Sequence, residues 1–514
     1  MIGHILSLVT FLPLFGGIIL LLFPSKQEGL LKVSAFIISI VAFLISLTLW
    51  FLYEPNGEMF QFVEKYIWIK GLNTHYFMGI DGMSLLLILL TTFLVPVTLL
   101  GTWNSISQRL KEYLFLVLAL ETAMIGAFAA LDLFLFYVFF EAILIPMYFI
   151  IGIWGGKERI YAAVKFFLFT LVGSLFMLIA IIALGVLAGQ ESSIAVFTTD
   201  LLILQQFAPG IAHEIQVWLF AAFALSFAIK VPLFPFHTWL PDAHVQAPTA
   251  GSVILAGVLL KLGTYGLIRF NLPLIPSASE YFAPFLSVLA VIGIVYGALV
   301  AMVQTDIKKL VAYSSVSHLG FVVLGIFAFT EESIQGAIIQ MINHGLSTGA
   351  LFLLVGMIYD KAHTRTIQDF GGVAHVMPIF ATIFLIVSLS SIGLPGLNGF
   401  IGEFLILLGA FKSEVLDTPA YAIVGASGVI FAAVYLLWMY NRVFWGPRRE
   451  LYGGHVLSDI SVKEIASLVP IIFLIIWIGI YPSSFLSKSA PLTKSLVKNA
   501  QELRSTIILS ITDK

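Results

Sequence analysis

The chain has 514 residues, of which 60% are hydrophobic and 11% are charged, and its mean hydropathy is +1.04. A soluble domain carries about 25% charged residues, so this composition excludes a soluble globular fold and predicts an all-α polytopic membrane protein. The formal net charge of −2 and the lack of a basic run give no indication of a nucleic-acid partner, and we expect none.

The sequence also limits the cofactors that this chain can hold. It contains no cysteine, which excludes disulfides, thiolate chemistry and cysteine-ligated iron–sulfur clusters. Its ten histidines show no HExxH motif and no other close metal-ligand spacing. No glycine-rich nucleotide motif follows a predicted strand, and we expect no redox centre, no metal and no cofactor in this chain.

About fourteen apolar segments have the length of roughly 20 residues that a membrane-crossing helix needs. The first lacks a basic start and a small-residue cleavage site, so we interpret it as a retained membrane helix. A polar insert at 54–81 follows the second segment, and an amphipathic tail with five basic residues begins near 485. The segments lie near 2–23, 30–53, 82–102, 113–130, 132–152, 163–187, 214–240, 248–270, 281–303, 308–328, 333–358, 376–411, 421–445 and 465–484.

Lysine and arginine are unequally distributed between alternate loops. One set of loops carries fifteen of them and the other set carries four. The positive-inside rule places the larger set in the cytoplasm and both termini outside, in agreement with an even number of spans. The larger set is Lys26, Lys32, Arg109, Lys111, Lys157, Arg159, Lys165, Lys308, Lys309, Lys361, Arg365, Arg442, Arg448, Arg449 and Lys463, and the smaller set is Lys65, Lys70, Arg269 and Lys412.

Two of the long segments contain helix breakers. One includes KVPLFPFHTWLP at 230–241, and the other includes SSIGLPGLNGFIGEF at 390–404. Proline and glycine in mid-membrane free backbone groups that lipid cannot satisfy, so such breaks survive only inside protein or beside a wet cavity. A packing kink is the alternative for either break, whereas two breaks with charges alongside favour a transport site.

The two breaks lie at equivalent places in two blocks of five helices. Each break is in the fourth helix, counted from 113 in the first block and from 281 in the second. Because five is odd, the second block enters the membrane from the opposite side, which is typical of inverted transport repeats. We therefore predict an N-terminal part at 1–112, repeats at 113–270 and 281–446, and a last helix with an external tail at 447–514.

Several ionisable residues lie near the middles of the predicted spans or beside the breaks. A charge at the bilayer centre costs at least ~2.5–3.5 kcal/mol, so such residues indicate function by default. An acid, two lysines, two histidines and an acid in series pass a proton along where waters bridge them. The candidates are Glu121, Glu141, Lys230, Lys261, His318, His344 and Glu403, with His237 and His244 around the first break.

Most of these residues also have a structural interpretation. Lys230 and Glu141 are compatible with a static ion pair, each histidine with an ordinary packing residue, and Glu121 with a hydrogen bond to a neighbouring helix. Lys261 has no comparable alternative, because snorkelling to the interface from the middle of a span is difficult. Moving a carboxylate towards or away from a buried lysine changes how firmly the lysine holds its proton.

Five stretches of the chain resemble the antiporter-like membrane subunits of respiratory complex I, most closely the M type. The block PFHTWLPDAH…APT, which starts at Pro235, is highly specific for this superfamily, which also includes Mrp-type cation/proton antiporters. The resemblance extends over nearly the whole chain. The stretches are FLFYVFFEAILIPMYFIIGIWGG, LSFAIKVPLFPFHTWLPDAHVQAPTAGSVILAGVLLKLGTYGL, DIKKLVAYSSVSHLGFV, INHGLSTGALFLLVG and IGLPGLNGFIGEF.

The resemblance implies a fold of 14 helices with two inverted repeats, and proton translocation driven by quinone reduction elsewhere in the complex. It implies the other membrane-arm subunits as partners, above all neighbouring antiporter-like subunits, and a bacterial plasma membrane as the location. By motif, Glu141 and Lys230 resemble the family's Lys/Glu pair and Lys261 its central lysine. His318 and His344 match the connecting histidines, and Glu403 matches the acid of the second broken helix.

Two features favour the M type within this family. The M type resembles this chain in having glutamate at the place of Glu403, where the other antiporter-like subunits and the Mrp relatives usually carry lysine. The tail after Tyr481 is too short for the long lateral helix and extra anchor of the L type. Glu121 has no clear place in the family pattern, and its role stays open.

Three other interpretations remain open from the sequence. The first is a subunit of an Mrp-type sodium/proton antiporter, which residue 403 argues against. The second is a membrane scaffold whose buried charges are structural, and the third is a photosynthetic, ferredoxin-driven relative of the complex. The last shares the same motifs, so the residues separate it poorly from a subunit of NADH:quinone oxidoreductase.

Overall fold

The computed structural model describes residues 2–450, 452 and 454–512, which form a helical bundle with one small β-hairpin. Within these residues eleven helices are long and apolar enough to cross a membrane by length and composition. Three shorter apolar helices, Ile5–Leu20, Pro378–Ile392 and Asn398–Phe411, accompany them. The all-α polytopic class is confirmed, and the number of fourteen crossings stays a prediction.

We number the helices longer than six residues in chain order. The first six are α1 (Ile5–Leu20), α2 (Glu28–Leu52), α3 (Gly82–Gly101), α4 (Leu110–Ala129), α5 (Leu133–Trp154) and α6 (Arg159–Gln190). The next six are α7 (Leu201–Phe207), α8 (His213–Lys230), α9 (Trp239–Gln246), α10 (Thr249–Leu274), α11 (Pro276–Met302) and α12 (Ile307–Phe327). The last six are α13 (Glu331–Ala362), α14 (Pro378–Ile392), α15 (Asn398–Phe411), α16 (Ala420–Phe444), α17 (Val462–Ile480) and α18 (Ser483–Thr512).

The polar insert after α2 folds as an antiparallel hairpin, which the sequence had not indicated. Strand β1 (Gln61–Ile69) pairs with β2 (Thr74–Ile80), and Asn73 takes the left-handed conformation in the turn. Glu64 of β1 accepts the backbone N–H groups of Leu6 and Ser7 at 2.9 and 3.1 Å. Because the first N–H groups of a helix have no internal partner, this contact fixes the start of α1 against the hairpin.

Residues from several connections meet at one end of the bundle. Ser105, Glu158, Lys308 and Arg365, from four different connections or helix ends, line one cavity. We call this the basic end. The hairpin and α18 lie at the opposite end, which we call the hairpin end, because Lys488 of α18 donates to carbonyls at the end of α2 there.

Several cations that the sequence assigned to loops lie in helices instead, and three of them contact other groups of the bundle. Arg269 is buried near the end of α10 and pairs with Asp81 at 2.7 Å. Lys165 lies in α6 and pairs with Asp242 of α9 at 2.6 Å. Lys308 is buried in the first turn of α12. When these three residues are left out, the larger set of cations, which has fifteen members, still outnumbers the smaller set.

Two helices form the centre of the bundle. The apolar windows of α10 and α13 are completely buried, whereas those of α2 and α17 are mostly exposed. Helix α10 is not a regular α-helix, because two stretches, Leu255–Leu259 and Leu267–Asn271, have π-helical hydrogen bonding. Single π-turns inside α-helices are frequent at functional sites, and these two lie on either side of Lys261.

Both predicted helix breaks are present, and side chains satisfy backbone groups that they free. At the first break, between α8 and α9, the indole Nε1 of Trp239 donates to the carbonyl of Ile229 at 2.8 Å. At the second, between α14 and α15, Asn343 of α13 donates to the carbonyl of Asn398, the first residue of α15, at 2.7 Å and so ties the start of that helix to α13. Breaks at membrane depth require such partners, and the structure therefore agrees with their placement inside the bundle.

The tail after Tyr481 forms the 30-residue helix α18. Its start packs closely on the start of α3, where a Cβ added to Gly82 would lie 1.8 Å from the carbonyl oxygen of Lys488. A helix of this length extends about 45 Å, so the tail is longer in space than its residue count suggested.

Candidate functional site

Lys261 lies at the contact between the two central helices. Its ammonium is fully buried and approaches Nδ1 of His344 on α13 at 2.7 Å. The π-turn in α10 supplies its second partner, because the N–H of Leu260 bonds to the carbonyl of Leu255. In an α-helix that N–H would bond to Ala256, whose carbonyl instead accepts the ammonium of Lys261.

His318 and Glu403 form the second contact of the site. Nδ1 of His318 on α12 lies 2.9 Å from Oε1 of Glu403 on α15, and both side chains are buried. Gln340 of α13 donates to the same carboxylate oxygen at 3.1 Å. Nε2 of His318 lies 3.3 Å from the hydroxyl of Ser391 and 3.4 Å from that of Tyr435. Every nitrogen of this imidazole therefore has a polar neighbour.

The two contacts lie end to end and form one row. The rings of His344 and His318 are 5.9 Å apart between centroids, and no hydrogen bond joins them. Nε2 of His344 is buried without a partner. We call Lys261, His344, His318 and Glu403 the central line, which has a close contact at each end and one gap in the middle.

Lys230 and Glu141 do not form an ion pair in this structure. The ammonium of Lys230 is buried without a hydrogen-bond partner, and it lies 4.7 Å from the centre of the Phe140 ring and 5.7 Å from that of Phe166. Such cation–π contacts stabilise an ammonium weakly compared with a carboxylate. Oε1 of Glu141 is also buried without a partner. The structure therefore keeps the two groups apart at the end of α8.

Glu141 lies beside an irregularity that the sequence analysis missed. The regular hydrogen bonding of α5 is interrupted at Ile143, directly after Glu141 and Ala142. The cause is Pro146, which has no N–H for the carbonyl of Ala142. The proline in EAILIPMY was a signal for this interruption, and it places a third helix distortion next to a candidate residue.

The remaining candidates lie outside the central line. Glu121 is fully buried on α4, and neither of its carboxylate oxygens has a partner. His237 packs against Phe234 and Tyr296 with ring centroids 5.8 and 5.2 Å apart. His244, which the sequence placed around the first break, is completely buried, and both of its ring nitrogens lack a partner.

Gln340, Ser391 and Tyr435 belong to the site, and the sequence analysis did not identify them. Each is buried and contacts His318 or Glu403. In the sequence, each is only a polar side chain in an otherwise apolar helix. Many packing residues have the same feature, so it does not distinguish a site residue. Among the described residues, no group of three or more histidine, aspartate or glutamate side chains is arranged to hold a metal ion.

Comparison with known proteins assigns the chain to a family. The family described as NADH:quinone oxidoreductase/Mrp antiporter, transmembrane, matches residues 130–429. The NADH-quinone oxidoreductase subunit M of Rhodobacter capsulatus is 46% identical, over 96% of this chain and 97% of that protein.

Solved structures agree with this assignment. A chain of respiratory complex I from Thermus thermophilus with bound NADH is 34% identical, with a TM-score of 0.86 over 97% of this chain and 99% of that chain. A chain of the Mrp complex from Dietzia sp. DQ12-45-1b has the same fold at 18% identity, with a TM-score of 0.84 over 98% and 99% of the two chains. The chain belongs to the NADH:quinone oxidoreductase/Mrp antiporter family, as an antiporter-like membrane subunit of the M type.

Proposed function

We propose that this chain is a proton-translocating membrane-arm subunit of an NADH:quinone oxidoreductase. The observation that carries the proposal is the central line, in which two close contacts hold four buried titratable groups, two of them on the completely buried helices α10 and α13. Ionisable groups at membrane depth mark ion and proton pathways. The subunit M relative and the glutamate at position 403 support the oxidoreductase assignment within the family.

A proton moves along the central line in steps between neighbouring groups. The ammonium of Lys261 has an acceptor in contact at Nδ1 of His344. A bridging water connects the free Nε2 of His344 with His318, because such waters replace direct hydrogen bonds at little cost. His318 then delivers the proton to Glu403, which it already contacts at 2.9 Å. The direction towards Glu403 and the hairpin end is part of the proposal.

Glu141 and Lys230 control this line from a distance. Neither group has the other as a partner in the present arrangement, and no hydrogen bond joins Lys230 to Lys261. Movement of the Glu141 carboxylate towards Lys230 makes the lysine hold its proton more firmly, and movement away releases it. The interruption of α5 at Ile143 gives the carboxylate the local freedom that this movement needs.

The chain performs no redox step in this proposal, and it works with other subunits. Quinone reduction takes place elsewhere in the complex, and the neighbouring partners are other membrane-arm subunits. The face of α5 next to Glu141 carries the exposed apolar residues Val138 and Ile145, which suits contact with lipid or with such a neighbour. In a bacterium the chain lies in the plasma membrane, with both termini outside and the basic end in the cytoplasm.

The test uses the intact complex in sealed vesicles, with quinone reduction and acidification measured together. Lys261→Gln and His318→Asn each remove one group of the central line. We expect both variants to assemble and to lose acidification by about a hundredfold or more, the scale of a lost proton-transfer group. Lys70→Gln, at an exposed lysine of the hairpin, is the control. Wild-type acidification in both central-line variants would refute the proposal.

A sodium/proton antiporter is the alternative function, since the family and the fold are shared with the Mrp complex. The same vesicles separate the two functions without NADH. A sodium gradient alone moves protons through an antiporter, whereas a subunit of the oxidoreductase requires electron flow. Sodium-driven acidification that Lys261→Gln abolishes would favour the antiporter.

A further inference from the structure

Two side-chain amides of α13 connect the second helix break to the carboxylate of Glu403. Nδ2 of Asn343 donates to the backbone carbonyl of Asn398 at 2.7 Å and to Oε1 of Gln340 at 3.4 Å. Nε2 of Gln340 in turn donates to Oε1 of Glu403 at 3.1 Å. All four residues are buried. The hydrogen bonds therefore run without a gap from the backbone at the break to the acid at the end of the central line.

These contacts determine which atom of Gln340 faces the acid. A backbone carbonyl only accepts hydrogen bonds, so the carbonyl of Asn398 keeps Nδ2 of Asn343 on its side. Because that nitrogen also donates to Oε1 of Gln340, the Nε2 donor of Gln340 is left for Glu403. The opposite orientation of Gln340 would place two N–H donors against each other at Asn343 and an oxygen against the carboxylate. The break therefore fixes a donor, and not an acceptor, at Glu403.

Gln340 has little room to turn away from Glu403. A Cβ added to Gly402, the residue before the acid, would collide with Oε1 of Gln340, so α13 and α15 pack closely at this point. The other carboxylate oxygen, Oε2, faces the break, where a Cβ added to Gly393 would lie 3.0 Å from it. The carboxylate is therefore enclosed between Gln340 on one side and the turn of the break on the other.

Two titratable groups face Glu403 from neighbouring helices. His318 of α12 contacts Oε1 at 2.9 Å, and Tyr435 of α16 lies on the far side of that imidazole, 3.4 Å from its Nε2. On α13, His344 follows Gln340 by one turn and belongs to the central line. Helix α14 contains no charged residue, and the charged residues of α17 lie in its first turn. His318 and Gln340 therefore meet at the same oxygen, one as the proton partner and the other as an uncharged donor.

We propose that Gln340 is a positioning residue for the last proton transfer of the central line, held as a donor to Glu403 by Asn343 and the second helix break. The inference rests on the proposed function. A fixed N–H at Oε1 aims the carboxylate at His318 and stabilises its negative charge, so that Glu403 accepts a proton and gives it up again within the cycle. In the transfer an N–H bond at Nδ1 of His318 breaks and an O–H bond forms at Glu403, while Gln340 keeps both of its own protons.

A purely structural role for these amides makes a different prediction. If Gln340 and Asn343 only hold the break against α13, the loss of another hydrogen bond between α13 and the break has the same consequence. Ser347 of α13 makes such a bond, because its hydroxyl lies 2.6 Å from that of Ser390 near the end of α14. In the part of the chain that the structure describes, this hydroxyl forms no hydrogen bond with Gln340 or Glu403.

The experiment compares Gln340→Met, Asn343→Leu and Ser347→Ala in the intact complex in sealed vesicles, with NADH-driven acidification measured over a range of pH. Methionine keeps the length of the Gln340 side chain and removes its donor. A carboxyl group without this donor holds its proton more firmly, so we expect the acid limb of the pH profile to move up by about one pH unit, the scale of one lost hydrogen bond to a charged group. Asn343→Leu leaves Gln340 without its orienting partner and should move the limb in the same direction by less. Ser347→Ala is the matched control and should keep the wild-type profile.

A pH profile of wild-type shape and position in Gln340→Met overturns the proposal, because a loss that is uniform in pH reports on packing. A shift of the same size in Ser347→Ala overturns it as well. If Gln340→Met does not assemble, Asn343→Leu decides the question, and an unshifted profile there counts against the proposal.

His318→Asn in the same series separates this failure from failure of the proposed function. If His318→Asn loses acidification and Gln340→Met keeps the wild-type profile, the central line works without Gln340. If His318→Asn also keeps acidification, the proposed function fails as well.

Discussion

The bundle buries two acid–base pairs in opposite ways. Asp81 and Arg269, near the hairpin end, are in contact at 2.7 Å, and the guanidinium also donates to the hydroxyls of Tyr265 and Ser84 at 3.1 and 3.2 Å. Glu141 and Lys230 lie in the same bundle without contact, and each leaves a buried polar atom without a partner.

This difference separates a structural pair from a working one. A buried pair whose charges are in contact holds them in one arrangement, because opening it leaves two unpaired charges in a low dielectric. This holds for Asp81 and Arg269 although Oδ2 of Asp81 has no hydrogen-bond partner. An open pair has no such barrier, and a small displacement of either group changes its electrostatic energy. The closed pair therefore suits the fixed part of the bundle, and the open pair suits a step that must be reversed in every cycle.

The largest effect is expected from breaking the closed pair. Arg269→Met leaves the Asp81 carboxylate buried without its partner, which costs about 3–5 kcal/mol. We expect the variant chain to be lost from the complex on mild heating, and the amount of chain that remains assembled measures this loss. The double variant Arg269→Met/Asp81→Leu is the control and should recover much of the stability. Full stability of the single variant would contradict a structural role for this pair.

A large loss of activity with normal assembly is expected from the open pair. Lys230→Ala removes an ammonium that has no hydrogen-bond partner to orphan, so the complex should assemble. We expect quinone reduction and acidification to fall together, by about a hundredfold or more, if Lys230 belongs to a relay that is tightly coupled to the redox step. Both activities at wild-type levels would make this lysine structural or redundant, with Lys26→Ala as the control for the loss of a surface lysine.

A smaller effect is expected from the interaction between Glu141 and Lys230. A double-mutant cycle measures this interaction. Because the two groups make no hydrogen bond in this structure, their coupling in stability should be smaller than the roughly 3–5 kcal/mol expected from breaking a closed buried pair. Their coupling in acidification should be large, since Glu141→Gln and Lys230→Ala interrupt the same step and the double variant should be no worse than either. Additive losses of acidification would show that the two residues act separately.

The sequence predicts depth in the membrane well and lateral neighbours poorly. Lys261, His344, His318 and Glu403 were all identified from their positions near mid-span or beside a break, and the structure brings these four together in one row. The same argument gave Lys230 as the neighbour of Lys261, for which the structure has no contact. The hydropathy of a helix does not indicate how that helix is rotated about its axis. The rotation depends on packing against the other helices.

Local distortions were equally hard to predict when they depend on tertiary contacts. The breaks at 230–241 and 390–404 were visible because proline and glycine act on their own backbone. The π-turn at Leu255–Leu259 has no proline near it and depends on how α10 packs inside the bundle. The π-turn at Leu267–Asn271 is followed by Pro273, which has no N–H for the carbonyl of Arg269. Arg269 was assigned to a loop because its charge was counted before its partner Asp81 was known.

The smallest effect is expected at Glu121, a candidate that the structure leaves outside both pairs and the central line. A carboxylate there would be a buried charge without any partner, which proteins avoid because of its large desolvation cost. Glu121→Gln, an amide of the same shape, should therefore change stability and acidification little, within about 0.5 kcal/mol. Glu121→Ala is the comparison for lost volume, and it should destabilise the chain more than glutamine does because it leaves a cavity. A loss of acidification in Glu121→Gln, with assembly intact, would mean that this acid takes up and releases a proton during turnover. The proton path would then include Glu121 in addition to the four groups of the central line.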